Sequence, residues 1–289
     1  MGEITLQSAI HLGLVISIVT TVFAVGLGAT WRDVAEEFRE PSALLRALFA
    51  IDVVMPVFAL AAVAATNLPG PVKIALVLLS ISPVPPLLPK KALKAGGTKG
   101  SIIGLLVAAA LVALVFVPLA VEGLGNYFGV EAHAPVPLVA RVLALTILAP
   151  LTAGIVAHQL APSLADRLAS PLARFAGILL LLCALPVIVS QFSNAVSLIR
   201  DGTLVVFVLF VLVGLTAGYL LGGPEPQNRT TLALATASRH PGLAISIAAL
   251  DFPDQKLTTA AVVLYLVVNA IITVAYLQWQ KRHSSSAAP

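Results

Sequence analysis

The fold is decided by two proline-rich stretches, Ser82-Pro83-Val84-Pro85-Pro86-Leu87-Leu88-Pro89 and Arg239-His240-Pro241-Gly242, each set inside a long apolar run. A proline within a helix removes a backbone donor and clashes with the preceding turn. Four prolines within the seven residues 83–89 therefore predict an interruption rather than a kink. The pair Pro241-Gly242 is a second strong helix breaker. The sequence thus predicts two helices, each broken near its middle.

The composition places these stretches in a membrane protein. Hydrophobic residues make up 59% of the 289 residues and charged residues 10%, whereas a soluble domain has roughly 45–50% and 25%. So few charges cannot cover a water-facing surface, and the surplus apolar area must face lipid. The apolar content excludes disorder, and the single Cys183 excludes a disulfide scaffold. A net charge of +4 is too small to favour nucleic acid as a partner.

Nine segments are long and apolar enough to cross a bilayer as helices, for which about 20 residues suffice. They lie at roughly 6–29, 43–65, 71–93, 100–121, 136–160, 172–193, 203–222, 227–250 and 257–280. The loops between them leave no room for a soluble domain, so residues 1–289 are predicted to form a single membrane domain. The first segment has no preceding Lys or Arg and exceeds the usual length of a signal-peptide core, so we interpret it as a span.

The distribution of basic residues predicts the orientation, because Lys and Arg concentrate in cytoplasmic loops. Nine spans with the N-terminus outside place twelve basic residues on the cytoplasmic side and four on the outer side. The four outer residues are Lys73, Arg141, Arg200 and Lys256. We therefore predict a multi-pass membrane protein whose N-terminus is outside and whose C-terminus is cytoplasmic.

The spacing of the two broken segments indicates an internal repeat. If spans one to four correspond to spans six to nine, the broken third and eighth spans are equivalent and the fifth span is left over. The odd separation between equivalent spans gives the two halves opposite orientations. Inverted repeats with matching broken helices are typical of secondary transporters, in which the breaks line the substrate site.

Two ionisable residues lie near the middle of predicted spans. Asp52 is about the tenth residue of its span, and Arg239 about the thirteenth of its own. A charge at that depth costs about 3 kcal/mol on insertion scales, so we expect the two residues to pair. The pair either fixes helix packing or lines a transport site, where the guanidinium of Arg239 grips a carboxylate or sulfonate.

Further candidate site residues surround the breaks. His240 adds a titratable donor. Asn269 either lines a cavity or bonds a neighbouring helix. Backbone groups freed by the prolines must face protein or a wet cavity, because lipid cannot satisfy them. The remaining candidates at the breaks are Ser82, Pro83, Pro85, Ser238, Pro241 and Gly242.

The run 80–100 (SISPVPPLLPKKALKAGGTKG), the motif 50–56 (AIDVVMP) and the motif 236–245 (TASRHPGLAI) resemble the bile acid:sodium symporter family. The resemblance covers nearly the whole chain. It implies a family member with nine spans, located in a bacterial inner membrane. It implies a panel domain made of the spans near 6–29, 136–160 and 172–193. The other six spans would form a core domain in which the two broken helices cross.

Several positions depart from the sodium-using members of that family. Those members carry Pro-Gly-Gly and then Ser-Asn where this chain has PVPPLL at 83–88. The resemblance aligns a family Glu and a Gln-Asn pair with Ala235, Arg239 and His240, and a family Gln with Asp52. We therefore expect no sodium site and no other cofactor. A fixed guanidinium at Arg239 would hold the crossing together, with transport by uniport, exchange or proton coupling.

The expected function is secondary active transport of small organic anions by alternating access. The expected partners are the organic anion and the lipid bilayer, and the sequence leaves open whether the protein forms a homodimer. Arsenite- and auxin-type exporters share a similar broken-helix plan and are an alternative. A channel or a non-transporting scaffold is another. An enzyme is not expected, because an intramembrane aspartyl protease needs two carboxylates and only Asp52 qualifies.

Overall fold

The described part of this computed structural model, residues 6–199 and 202–285, is helical and contains no strand. Arg200, one of the four basic residues predicted for the outer side, lies outside these ranges. The helices are α1 (Leu6–Gly26), α2 (Trp31–Glu36), α3 (Pro41–Leu48), α4 (Met55–Ala65), α5 (Gly70–Ile81), α6 (Leu88–Lys94), α7 (Lys99–Phe128), α8 (Val136–Leu143), α9 (Ala149–Leu160), α10 (Pro162–Ser197), α11 (Thr203–Leu221), α12 (Pro226–Ala237), α13 (Pro241–Asp251) and α14 (Thr258–Ser285).

Short non-α segments join some of these helices without a loop. Two π-helical segments, Phe49–Val54 and Ala144–Leu148, connect α3 to α4 and α8 to α9. A 3₁₀ turn, Glu37–Arg39, follows α2. A π-helical turn inserts one residue into an α-helix and frequently occurs at functional sites.

Seven of the nine predicted spans appear as helical segments long and apolar enough to cross a membrane. The other two predicted spans, 71–93 and 227–250, are the interrupted pairs α5–α6 and α12–α13. The prediction of an all-helical polytopic membrane protein is therefore confirmed. The total of nine spans and the inverted repeat stay predictions.

Two helices are longer than the sequence suggested. Helix α7 continues to Phe128 and is followed by Gly129, whose φ of 67° is the left-handed geometry that favours glycine after a helix C-terminus. Helix α10 spans 36 residues and begins with Pro162 in its first turn, where a missing N–H costs nothing. Its inner prolines, Pro171 and Pro186, do not end it.

The helices pack in two groups. Helix α1 packs most extensively against α10 and α9. A small apolar cluster that includes Val22, Leu151 and Ile103 joins α1 and α9 to α7. A much larger apolar core joins α3–α7 with α11–α14. This division resembles the panel and core that the family resemblance implies, but the domain boundaries themselves stay a prediction.

Helix α11 carries a glycine stripe that lets α12 approach it closely. A Cβ atom added at Gly214 would lie 2.7 Å from the Cα of Ala237, and one at Gly218 would lie 2.6 Å from the Cα of Ala233. Real Cβ atoms essentially never come so near a backbone, so only glycine fits at both positions. Small residues four apart commonly allow such close contact between membrane helices.

Candidate functional site

Each proline-rich stretch ends one helix and begins another. The first break is residues 82–87, between α5 and α6, and the second is residues 238–240, between α12 and α13. Ser82 and His240, which precede prolines, adopt extended conformations with ψ of 143° and 97°. This is the expected effect of a proline, because its Cδ disfavours the helical region for the residue before it.

The two breaks contact each other through backbone and side-chain hydrogen bonds. The main-chain N–H of His240 donates to the carbonyl oxygen of Pro83 at 3.0 Å. The Nη1 of Arg239 donates to the carbonyl oxygen of Ser82 at 3.1 Å. We call the two bonded breaks the crossing. It brings together five predicted site residues, namely Ser82, Pro83, Ser238, Arg239 and His240, all of them buried.

The guanidinium of Arg239 also ties the crossing to the helix that contains Asp52. Its Nη2 donates to the carbonyl oxygen of Ile51 at 2.9 Å. Ile51 lies in the π-helical segment Phe49–Val54, and a π-helical turn disturbs the regular i to i+4 ladder and frees a carbonyl for an outside donor. Arg239 is 1% exposed. Its guanidinium therefore donates hydrogen bonds to peptide carbonyls and has almost no contact with solvent.

The expected ion pair between Asp52 and Arg239 is wrong. Neither residue takes part in a salt bridge, and the half-buried Asp52 makes no hydrogen bond to any residue that the structure describes. The two charges still interact at longer range.

His240 links the crossing to the span predicted at 136–160. Its Nδ1 accepts from the main-chain N–H of Leu243 at 3.2 Å and so caps α13. Its Nε2 lies 3.2 Å from the Oγ1 of Thr146. Because the Thr146 hydroxyl already donates to the carbonyl of Val142 at 2.7 Å, Nε2 must be the donor. These contacts together assign the neutral tautomer with the proton on Nε2.

Sequence reasoning missed Thr146. It lies in the second π-helical segment, Ala144–Leu148. The available signal was small, because a threonine in a membrane helix usually bonds its own preceding turn, as Thr146 also does. Only the fold brings it to His240, 94 residues away.

A chain of polar groups extends from the second break into α14. The Nδ2 of Asn269 lies 3.5 Å from the Oγ of Ser238, at the limit of a hydrogen bond. Thr273 donates its hydroxyl to the Oδ1 of Asn269 at 2.9 Å. Tyr265 donates to the carbonyl of Ala237 at 2.8 Å, at the end of α12. Asn269 thus connects its own helix α14 to the second break, through Thr273 on one side and Ser238 on the other.

The other predicted residues lie at the edges of the breaks. Pro85 is buried within the first break, and Pro241 forms the first turn of α13. Gly242 follows Pro241, and a Cβ added there would lie 3.2 Å from the Cε1 of His240. Glycine at this position therefore leaves room for the imidazole that caps the helix.

The chemistry of the crossing does not fit a sodium ion. Sodium requires several oxygen ligands, whereas the carbonyl oxygens of Ser82 and Ile51 already accept from a permanent cation. A second cation beside the guanidinium would meet like-charge repulsion in a poorly screened interior. No group of three or more His, Cys, Asp or Glu is arranged to hold a metal ion within the described ranges.

Apolar helices of membrane-spanning length, together with two interrupted helices whose breaks meet, define an integral membrane transporter. A sequence model of the sodium bile acid symporter family matches residues 15–200. The chain is also 25% identical, over 283 residues, to the probable sodium/metabolite cotransporter BASS6, chloroplastic, of Arabidopsis thaliana. That similarity covers 92% of this chain and 67% of the relative. The chain belongs to the sodium bile acid symporter family, which is a family of transporters.

Proposed function

We propose that this protein is a secondary carrier of small organic anions that works by alternating access without sodium coupling. One observation carries the proposal: the guanidinium of Arg239 bridges the carbonyls of Ser82 and Ile51 inside the crossing. In this account a permanent positive charge supplied by the chain does what a bound cation does in sodium-coupled relatives. It neutralises the carbonyl dipoles that the helix breaks expose.

The substrate class is inferred from charge and from the family. The described structure gives Arg239 no salt bridge, so its positive charge is only partly offset by the more distant Asp52. Helix α13 begins at the crossing, and its positive dipole end adds to this field. Such a field favours an anion. The name of the family refers to bile acids, which are organic anions, and that of the plant relative to metabolites.

The moving parts are inferred from the packing. Secondary carriers of this kind alternate by rocking one bundle against another around a fixed site. Here the crossing belongs to the large apolar core, while α1, α9 and α10 pack with one another. The hydrogen bond between His240 and Thr146 connects the crossing to the span that ends in α9. It is a contact that relative motion of the two groups would break.

The test is uptake of a labelled carboxylate or sulfonate into proteoliposomes, with sodium and proton gradients imposed separately. We expect the initial rate to be unchanged when sodium is replaced by potassium or choline. We expect it to respond to a proton gradient or to counter-substrate inside the vesicle. Strict dependence on an inward sodium gradient would contradict the proposal.

Substitution of Arg239 tests the observation directly. Arg239→Ala leaves two buried carbonyls without donors, at a cost of about 1–3 kcal/mol each, and should abolish uptake in sodium-free medium and lower the unfolding temperature. Arg239→Lys keeps the charge but loses the two-pronged geometry, so partial uptake is expected. Arg174→Ala changes an exposed arginine on α10 and serves as the control. Sodium-stimulated uptake that appears in Arg239→Ala would support the replacement of a cation by the guanidinium, whereas wild-type uptake by this variant would refute it.

A further inference from the structure

An apolar pocket of about 370 Å³ extends along α5 from its first turn, and none of the crossing residues lines it. Its walls come from α4, α5 and α7 and from the loops that follow α7 and α13. The α5 residues that line it include Lys73, Ile74, Val77 and Ile81. The volume is within the range of small-molecule sites, and the lining is almost entirely apolar apart from Lys73 and Gln255.

One unpaired charge stands on the wall of this pocket. Lys73 is half-buried, and its ammonium has no hydrogen bond or ion pair with any residue that the structure describes. A cation beside an apolar pocket is complementary to a ligand with an anionic head and a hydrocarbon chain. Such an amphiphile would fill the pocket with its chain and neutralise Lys73 with its head.

The depth of the pocket identifies the source of that amphiphile. Tyr127 and Phe128 form an edge-to-face pair at the end of α7, with ring centroids 5.1 Å apart. Phe128 lines the pocket, and Tyr127 is 79% exposed. Exposed aromatic residues at a helix end mark the level of the lipid headgroups. Lys73, in the first turn of α5, therefore lies where phosphate groups of the bilayer are most concentrated.

We propose that this pocket binds an anionic phospholipid of the surrounding leaflet, with one acyl chain between α5 and α7 and the phosphate on Lys73. In the predicted orientation this is the outer leaflet. The proposal concerns a lipid site and holds whether or not the transported substrate is an organic anion.

The bound chain would reach the crossing. Ile81, at the inner end of the pocket lining, precedes Ser82, whose carbonyl accepts from Arg239. Eight residues of helix separate Lys73 from Ile81, which corresponds to about 12 Å. A lipid chain along this face supports α5 from its outer end to the residue before the break. Occupancy should therefore stabilise the crossing as well as the outer end of α5.

The experiment is native mass spectrometry of the full-length protein in a neutral maltoside detergent. Phosphatidylglycerol and phosphatidylcholine with identical acyl chains are added as the probes. We expect the wild type to retain more phosphatidylglycerol. In Lys73→Gln this preference should fall about fivefold, which corresponds to about 1 kcal/mol per basic residue near anionic lipid. The matched control, Lys256→Gln, removes an exposed lysine from the same side that does not line the pocket.

Pocket filling tests the site of the acyl chain. Val77→Trp should reduce binding of both lipids, and Ile74→Phe is a milder filler should the first variant fail to give a monodisperse protein. Equal retention of both lipids by the wild type would overturn the proposal. Equal losses in the two lysine variants would also overturn it. Displacement of phosphatidylglycerol by equimolar palmitate would overturn it in favour of a free fatty carboxylate as the occupant.

Discussion

Two consecutive residues, Arg239 and His240, organise the centre of the molecule. Each reaches across to a different helix and contacts a π-helical segment there, through Ile51 in one case and Thr146 in the other. A π-helical turn places one backbone or side-chain group out of the regular helical pattern. The irregular turns of two further helices are therefore matched to the irregular backbone of the second break.

The contact between His240 and Thr146 should control the rate of the transport cycle. Thr146→Val keeps the shape of the side chain but removes the acceptor, so the N–H of His240 loses a buried partner at a cost of about 1–3 kcal/mol. We expect lower thermal stability. We also expect a faster exchange rate at saturating substrate with an unchanged KM, because the contact no longer has to break in each cycle.

The controls for this prediction lie in the same span. Thr152→Val makes the same chemical change at an exposed position of α9, and Thr146→Ser retains the hydroxyl. Both should behave like the wild type. Identical exchange rates in Thr146→Val and Thr152→Val would show that the hydrogen bond does not limit the cycle.

At this scale the sequence located the buried ionisable residues better than it predicted their contacts. The depths of Asp52 and Arg239 were readable from span counting, and they favoured a mutual ion pair. In the structure, Nη1 and Nη2 of Arg239 donate to main-chain carbonyls instead, and its buried Nε has no hydrogen-bond partner among the described residues. Carbonyls freed by a π-helical turn leave no signature in the sequence, because every residue has one. The partners of a buried arginine therefore could not be predicted from side chains alone.

Among the helices, the contact between α11 and α12 depends on the absence of side chains. Gly218→Ala would place a Cβ atom 2.6 Å from the Cα of Ala233, so α12 must shift away from α11. We expect a clear loss of thermal stability and of uptake. The control is Gly123→Ala in α7, where an added Cβ meets nothing within 4 Å. That variant should gain about 0.5–1 kcal/mol from helix propensity. Equal stability of the two variants would contradict the packing argument.

The connector after α2 carries a pH-sensitive carboxylate. Glu37 is buried against α7 and accepts a hydrogen bond from the Ser101 hydroxyl at 3.2 Å. Burial raises the pKa of Glu37 above its usual 4.5, and the nearby Glu40 and Glu36 raise it further, while the bond from Ser101 lowers it. The folded chain therefore holds this proton more tightly than the unfolded chain does. Ionisation of Glu37 opposes folding as the pH rises above 4.5.

Glu37→Gln should remove this opposition while keeping an acceptor for Ser101. We expect the variant to unfold at a higher temperature than the wild type at pH 8, with a difference that shrinks as the pH falls towards 4.5. Glu122→Gln, at an exposed carboxylate of α7, controls for the loss of one charge. A difference between wild type and Glu37→Gln that does not change with pH would exclude burial of the charged carboxylate as its cause.

The elements themselves were largely readable from the sequence. Proline density located both breaks, because a missing N–H and a ring clash act locally. Isolated prolines act differently: Pro118 and Pro186 lie within continuous helices. The length of α10 was not foreseen, because the polar residues 162–171 read as a loop yet continue the helix. The two π-helical segments were not foreseen either, since an inserted residue does not alter the apolar pattern.

For the whole molecule, two features bear on the proposal of a carrier without a bound cation. They are the distribution of charged residues along the chain and the buried arginine of the crossing. Most basic residues are predicted on one side, and this asymmetry predicts the direction of the chain in the membrane. Among the residues whose side-chain burial the structure describes, Arg239 in the crossing is the single buried arginine. The few charged residues thus have two separate roles in this account. Those in the loops determine the predicted topology, and Arg239 joins the two helix breaks.

The orientation can be tested by labelling from one side. With Cys183 replaced by Ser as background, Asp254→Cys places a thiol in the exposed loop between α13 and α14, and Gln227→Cys places one at the exposed start of α12. The second broken helix separates these positions, so they should lie on opposite sides of the bilayer. We expect a membrane-impermeant maleimide to label Asp254→Cys in intact cells and Gln227→Cys only after permeabilisation. The reverse pattern would invert the predicted topology and would move the pocket at Lys73 to the cytoplasmic leaflet, whereas labelling of both thiols in intact cells would contradict a second broken helix that crosses the membrane.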